Sequence, residues 1–242
     1  MSAFETIILE KSGGVAWVTL NRPRVLNAYN VKMRDELYEA LGLIGSDTDV
    51  RVAVFRGAGE KAFCAGADLT EFGTAPSQAI ARQVRFERDV WQRFLSLRQP
   101  LIAAIHGYCL GSGIEIALCC DIRIASPEAK FGLPETGLGM IPAAGGTQTM
   151  PRMVGLPRAM EALLTGRTIE AAEAKRTGLV NRLSPKDTIF ADAQRLADEM
   201  AGLPHQALAF AKEAVRRGMD TTLAQGLDIE RTLASRLAGI VA

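Results

Sequence analysis

The pattern of apolar and polar positions divides the chain into two unequal parts. Residues 5–10 and 15–20 read as strands, and Ser12-Gly13-Gly14 between them has the composition of a hairpin turn. From Val31 to Ile44 the apolar period changes to that of a helix, with Met33, Leu37, Leu41 and Ile44 on one face. Val52-Ala53-Val54-Phe55 predicts a short buried strand, and a Gly-rich loop follows it through Asp68. Ser77 to Leu97 predicts one long, charged, amphipathic helix that Pro100 terminates. Phe86, Trp91 and Phe94 lie at helical spacing along it and are expected to pack over a ligand pocket.

Leu101 to Ile105 predicts a further buried strand, and a glycine-containing turn leads into a helix ending near Cys119. Ile122 to Ala125 is the next strand, and 132–147 reads as loop. Beyond Pro157 the pattern is mainly helical, over 157–164, 169–176, 186–201, 204–217 and 221–238, with a short strand at Leu179 to Leu183. Strands alternating with helices and then helices alone imply an α/β body with a helical C-terminal part. The boundary is placed between residues 1–185 and 186–242.

Composition removes several classes of function. Among 242 residues, 28 Lys and Arg face 27 Asp and Glu, a net charge of +1. That balance argues against nucleic acid or an anionic membrane as the main partner. No apolar run approaches the ~20 residues that span a bilayer. The opening Met-Ser-Ala-Phe-Glu-Thr carries neither a basic n-region nor an Arg-rich amphipathic pattern, so a soluble, cytoplasmic protein is expected. The four cysteines, Cys64, Cys109, Cys119 and Cys120, show no CxxC spacing, and there are two histidines. No metal site is expected, and the cysteines read as buried thiols in a reducing compartment.

Two glutamates stand out against apolar surroundings. Glu115 is the one charged side chain between Gln99 and Cys120, and Glu135 the one between Phe131 and Pro151. A carboxylate there is costly unless paired, hydrogen-bonded or neutralised. Burial raises its pKa toward the range useful for proton transfer. Each alone reads equally well as a structural carboxylate. Two strand-to-loop segments could supply main-chain donors beside them. Gly111-Ser112-Gly113 opens a helix, whose first N–H groups lack internal partners and sit at the positive end of the dipole. It reads either as a closely packed turn or as an oxyanion site. Phe63-Cys64-Ala65-Gly66-Ala67-Asp68 also exposes backbone N–H groups through small residues.

In order and spacing, four segments resemble the enoyl-CoA hydratase/isomerase (crotonase) family over about residues 5–235. They are Asn21-Arg22-Pro23 with Leu26-Asn27-Ala28, Ala62 to Leu69, Ala103 to Glu115, and Phe131 through Glu135 and Ile141-Pro142 to Gly145-Gly146-Thr147. The resemblance implies a spiral of ββα turns, a helical C-terminal region used in forming a trimer or a dimer of trimers, and a CoA thioester as substrate, with no separate cofactor. It assigns the oxyanion hole to the backbone N–H groups of Ala67 and Ser112. Serine is a departure from the glycine usual at the second position, but the donor is main-chain. Glu115 and Glu135 match the positions that carry the base and acid of hydration, Glu115 as the water-activating base and Glu135 as the Cα acid. Arg24 and Leu26, with Ala65, Gly66, Ala67, Asp68 and Leu69, are assigned to the CoA ester. Arg24 and Arg22 read nearly as well as solvated side chains, and Asp68 and Asp121 as loop braces. Relatives often carry a further C-terminal segment over the CoA, so adenine and phosphate contacts are expected to be weaker here or built differently.

The expected activity is therefore reversible addition of water to a 2-enoyl-CoA. Isomerisation of an enoyl-CoA, or hydration of an alicyclic or dienoyl thioester, is the alternative. Some relatives bind RNA through a Lys-rich helix. The equivalent helix here holds Lys32 and Arg34 against Asp35, Glu36 and Glu39, which argues against that role. His106 is expected to be structural.

Overall fold

The computed structural model describes residues 4–74, 77, 80, 83 and 87–241. The first two strands, β1 (Ile7–Ser12) and β2 (Val15–Leu20), pair antiparallel as a hairpin. Gly13 and Gly14 both have positive φ, 58° and 83°, which a two-residue type I′ turn demands. The helix Val31–Ser46 follows, with the Asn30 side chain accepting from the Met33 N–H at its start. Met33, Leu37, Leu41 and Ile44 are all buried on one face, as their spacing predicts.

From there the chain runs in a spiral. β3 (Val52–Gly57), β5 (Leu101–Ile105), β7 (Ile122–Ala125) and β10 (Arg182–Leu183) join β1 and β2 in a six-stranded sheet of order β1-β2-β3-β5-β7-β10, parallel from β2 onward. Between them, β4 (Ala62–Cys64), β6 (Tyr108–Leu110), β8 (Lys130–Gly132) and β9 (Ile169–Glu170) build a second sheet of order β4-β6-β8-β9. Each turn leaves one strand in each sheet, so the connections that follow β4, β6 and β8 are stacked beside one another.

Residues of period two on the large sheet go to different cores. Ala53, Phe55, Leu101, Ala103 and Ile105 face the main core, which includes Phe63, Phe94 and Phe131. Val52, Val54, Ile102, Ala104 and Ile124 face the helix Ile189–Ala201 through Ile189, Ala193, Leu196 and Ala197. Burial on both faces explains why these strands read as unbroken apolar runs. Trp17 ties β2 to that helix by donating from Nε1 to Gln194 Oε1 at 2.6 Å. The helices His205–Gly218 and Leu223–Val241 complete the chain, and no helix among the described residues is long and apolar enough to cross a membrane.

Several expectations need correction. The helix expected over 77–97 does not run through Asp89, whose backbone is not helical and whose side chain caps a separate helix, Val90–Ser96, by accepting from Gln92 N–H. Most of 75–86, including Phe86, lies outside the described residues. Phe94 is fully buried against Phe55, with ring centroids 5.1 Å apart, so it is core and not pocket lining. Trp91 is partly exposed and lies against Tyr29. Helix Gly146–Val154 contains Pro151, a residue that usually breaks a helix, and was not expected there.

Candidate active site

The two main-chain donor loops lie edge to edge. The loop after β4 runs through Ala65, Gly66 and Ala67, and that after β6 through Gly111 into the helix Ser112–Cys119. A Cβ on Gly111 would come within 3.3 Å of the Gly66 Cα. Gly113 packs still more tightly, since a Cβ there would lie 2.2 Å from the Cys64 carbonyl oxygen. Only glycine fits at that position, and its absent side chain sets the spacing between the loops.

Ala67 is oriented by Tyr29 in an isolated parallel bridge. Tyr29 N–H donates to Gly66 O at 2.8 Å, and Asp68 N–H donates to Tyr29 O at 2.8 Å. When one residue takes both flanking bonds in a parallel bridge, its opposite number turns its own N–H and C=O to the other side. The Ala67 N–H accordingly bonds to no other described residue, nor does the Ser112 N–H, which belongs to the first residue of its helix. Both residues are partly exposed. Gly111 takes the unusual φ and ψ, 49° and −123°, while Ser112 does not have positive φ. Serine at 112 thus carries no backbone strain, and the departure from glycine leaves the donor intact.

Glu115, 3% exposed, lies one turn into the same helix. Its Oε1 accepts from the N–H groups of Ala144 and Gly146, both at 2.9 Å. It therefore also closes the N-terminus of the helix Gly146–Val154, where an anion is favourable. These two donors were missed at the sequence level, although the Gly145-Gly146 pair marks the place. Gly146 is required for the approach, because a Cβ there would lie 3.0 Å from Glu115 Oε1.

Glu135 is carried by a 3-10 turn, Pro134–Leu138, after β8. Its carboxyl lies over Gly111, with Oε1 2.9 Å from where a Cβ would be. Gly111 thus links the pair, since its carbonyl accepts the Glu115 N–H and its Cα face carries the Glu135 carboxyl. Burial raises the Glu135 pKa above its ordinary value, its own backbone N–H opposing in part. The Glu135 Oε2 is shielded and accepts no hydrogen bond among the described residues. A carboxyl so placed is favoured in its neutral form.

The remaining assigned residues lie on the 22–29 and 65–69 segments, which are laced together. Asn27 is fully buried with φ 57°, and its side chain accepts from Arg22 N–H and donates to Ala58 O and Ala62 O. Leu26, also with positive φ, accepts at its carbonyl from Ala65 N–H at 3.0 Å. The Ala65 N–H is therefore occupied, leaving its carbonyl for a ligand. Asp68 accepts from Arg22 Nη1 at 2.9 Å and from Thr70, and acts as a brace. Arg22 donates from the same nitrogen to Ala28 O. Arg24 and Leu69 are exposed, and Arg24 has no hydrogen bond or ion pair with a described residue. Asn27 belongs to the early motif of the resemblance but was given no role from sequence, since no charge or periodicity marks it.

His106 is buried with Nε2 2.8 Å from Gly59 O, a structural contact. Burial pushes the Cys64 thiol up to about 11 and that of Cys119 up to about 12, which removes them as nucleophiles at neutral pH. Among the described residues no group of three or more His, Cys, Asp or Glu is arranged to hold a metal ion.

The family model described as enoyl-CoA hydratase/isomerase matches residues 10–238. A probable enoyl-CoA hydratase of Rhizobium meliloti is 43% identical over 234 residues, 96% of this chain and 89% of that one. A short-chain-enoyl-CoA hydratase of Clostridium acetobutylicum is 41% identical over 222 residues, 90% of this chain and 85% of its own. The crystal structure of an enoyl-CoA hydratase from Bacillus anthracis superposes with a TM-score of 0.90 at 38% identity, covering 98% of this chain and 95% of that one.

Proposed function

Because the chain belongs to the enoyl-CoA hydratase/isomerase family, we propose that it is an enoyl-CoA hydratase that adds water reversibly across the 2,3 double bond of a 2-enoyl-CoA, using Glu115, Glu135 and the N–H groups of Ala67 and Ser112. The names of relatives about 40% identical support the coarse activity. The observation that carries the finer reading is the pair of unengaged N–H groups beside two differently held carboxyls.

The thioester carbonyl oxygen sits between the Ala67 and Ser112 N–H groups. Glu115, held as an acceptor by two backbone donors, takes a proton from water, whose oxygen bonds to Cβ. The π electrons move toward the thioester, and the negative charge on its oxygen meets the two preorganised donors. One such donor is typically worth ~3 kcal/mol in the transition state. Glu135, favoured neutral by burial, delivers its proton to Cα, completing a 3-hydroxyacyl-CoA. Glu115 then holds a proton and Glu135 has lost one, and exchange with solvent restores both. The reverse sequence eliminates water. Arg24, Leu26, the Ala65 carbonyl, Gly66, Asp68 and Leu69 form the edge along which the CoA moiety lies. No cofactor beyond the CoA of the substrate takes part.

Association as a trimer or dimer of trimers is supported by the exposure of Val215, Leu223 and Leu227 on the last two helices and of Met219 between them. In the helix Val31–Ser46, Lys32 pairs with Glu5 and Arg34 with Asp35, which weakens the RNA-binding alternative.

The test is a panel of enoyl-CoA esters of different chain length, with ring and dienoyl members, followed by loss of the conjugated-thioester absorbance. Hydration of crotonyl-CoA or a longer 2-enoyl-CoA is expected, and no loss with any member refutes the reading. Glu135→Gln is expected to abolish hydration while leaving CoA-ester binding nearly intact, and normal turnover overturns the role given to Glu135.

A further inference from the structure

The helix Ser112–Cys119 presents Ser112 at one end and open carbonyls at the other. Those carbonyls are taken by cations from two directions. Arg123, buried on β7, donates from Nη1 to Cys120 O at 2.6 Å. Arg216, from the far C-terminal helix His205–Gly218, donates from Nη2 to Cys119 O at 2.8 Å and pairs with Asp121 Oδ1 at 2.9 Å. Its Nη1 reaches Leu95 O at 3.1 Å, at the end of the helix that carries Trp91. One turn earlier, Lys212 donates to Gln99 O and pairs with Asp121 Oδ2, both at 2.7 Å. Asp121 Oδ2 also accepts the Leu101 N–H at 2.8 Å, at the start of β5.

The C-terminal helix thus grips three segments at once: the end of Val90–Ser96, the start of β5, and the end of Ser112–Cys119. Lys212 is largely buried; burial, and after it the Arg216 charge, lower its pKa, and the Asp121 carboxylate opposes them. A buried ammonium and a guanidinium converging on one carboxylate make a strongly directional joint, since each cation must keep its acceptors. The helix Ser112–Cys119 has eight residues and a packed first turn at Gly113. Over so short a helix a displacement at Cys119 would be carried to the Ser112 N–H.

We propose that Arg216, seated by Asp121 and Lys212, is a positioning residue for the oxyanion donor at Ser112, coupling the C-terminal helical region to the reaction centre. This rests on the hydratase reading above. The cluster touches no reacting atom. It fixes where the donor lies relative to Ala67, whose loop is anchored independently through Tyr29 and Leu26.

The experiment compares the full-length wild type with Arg216→Gln, Arg216→Lys and, as a control on the same helix, Arg217→Gln. Arg217 is exposed and pairs only with Glu213 among the described residues. Hydration of crotonyl-CoA gives kcat and KM well below each melting temperature. A bound, unreactive conjugated aryl-enoyl-CoA reports donor geometry, because a polarised thioester carbonyl shifts its absorption to longer wavelength. Arg216→Gln is expected to lower kcat about tenfold with KM changed less than about twofold, since small misplacements far from the chemistry reach 10²-fold. It is also expected to lose most of the red shift. Arg216→Lys recovers most of both, and Arg217→Gln matches the wild type. A red shift and kcat unchanged in Arg216→Gln overturn the proposal, as does a loss shared equally by Arg217→Gln. Should Arg216→Gln not fold, Arg216→Lys becomes the deciding variant, because lysine has fewer donors than arginine: a small loss of red shift with intact KM supports the proposal, and values equal to the wild type refute it. A wild type without hydratase activity refutes the hydratase reading itself, a result separable from all of these.

Discussion

Ser112→Pro replaces the amide hydrogen that faces the proposed oxyanion hole with the ring's Cδ methylene. Ser112 is the first residue of its helix, where proline is well tolerated because the N–H has no intrahelical partner and φ near −65° suits the turn. The preceding residue is the usual obstacle to proline, but Gly111 has no Cβ, and its ψ of −123° keeps it out of the helical conformation that the ring would clash with. The Gly111 N–H keeps its 2.9 Å bond to Gly132 O. The fold should therefore survive with a melting temperature close to the wild type. The reaction should not. Loss of one oxyanion donor costs ~2.7–4 kcal/mol, or ~10²–10³-fold in kcat. The lost donor should lower kcat, because charge grows on the thioester oxygen as the reaction proceeds, and the Cδ methylene, by crowding that oxygen in the bound ester, should raise KM as well. Ser112→Ala and Ser112→Gly keep the donor and should retain kcat within about threefold. The assay is crotonyl-CoA hydration by absorbance, alongside thermal unfolding and calorimetric binding of a saturated acyl-CoA. Wild-type kcat in a folded Ser112→Pro protein refutes the assignment of that N–H.

Gly113→Ala should act on the same hole through its width. Its methyl would lie 2.2 Å from Cys64 O, against a comfortable C···O separation of about 3.3 Å, so the loops must part by about 1 Å; kcat should fall at least about tenfold, and stability by ~1–3 kcal/mol as overpacking requires, whereas unchanged kcat and melting temperature would show that the loops are not held in register by this contact. Glu135 makes a prediction about stability. A carboxyl whose folded pKa is raised binds its proton more tightly in the native state, so the native state loses stability as pH rises from the unfolded value through the raised folded one. Glu135→Gln should therefore melt higher than the wild type at pH 7–8, with the difference vanishing well below pH 4; a lower melting point for the variant at pH 8 contradicts the burial argument.

The large sheet and most of the helices were legible in the sequence because their residues serve one environment each. Strands such as Val52–Phe55 and Leu101–Ile105 are buried on both faces and read as apolar runs, and the Met33 to Ile44 stripe is buried as its period requires. The second sheet escaped notice. Its strands are two or three residues long, and Cys64, Cys109 and Gly132 belong as much to the site's loops as to a ladder. The helix Gly146–Val154 was hidden by Pro151 and by a glycine start, and its N-terminus is completed by Glu115, a partner 31 residues away. The two glutamates were visible because a charge inside an apolar segment is rare. Asn27 was not, although it is fully buried and bonded three ways, because a loop asparagine looks the same in sequence whether it faces water or the core.

That the proposed charge-stabilising groups at Ala67 and Ser112 are main-chain has a consequence for how such a protein can vary. Substitution at either position changes a side chain and leaves the amide, proline excepted, so the groups that meet the developing charge can be disturbed by an exchange elsewhere only through the path of the backbone. Side chains on the adjoining segments, such as the exposed Leu69 and Phe72, have no such protection. Drift and selection can therefore rework the side chains around the site while the electrostatic centre is inherited with the path of the backbone.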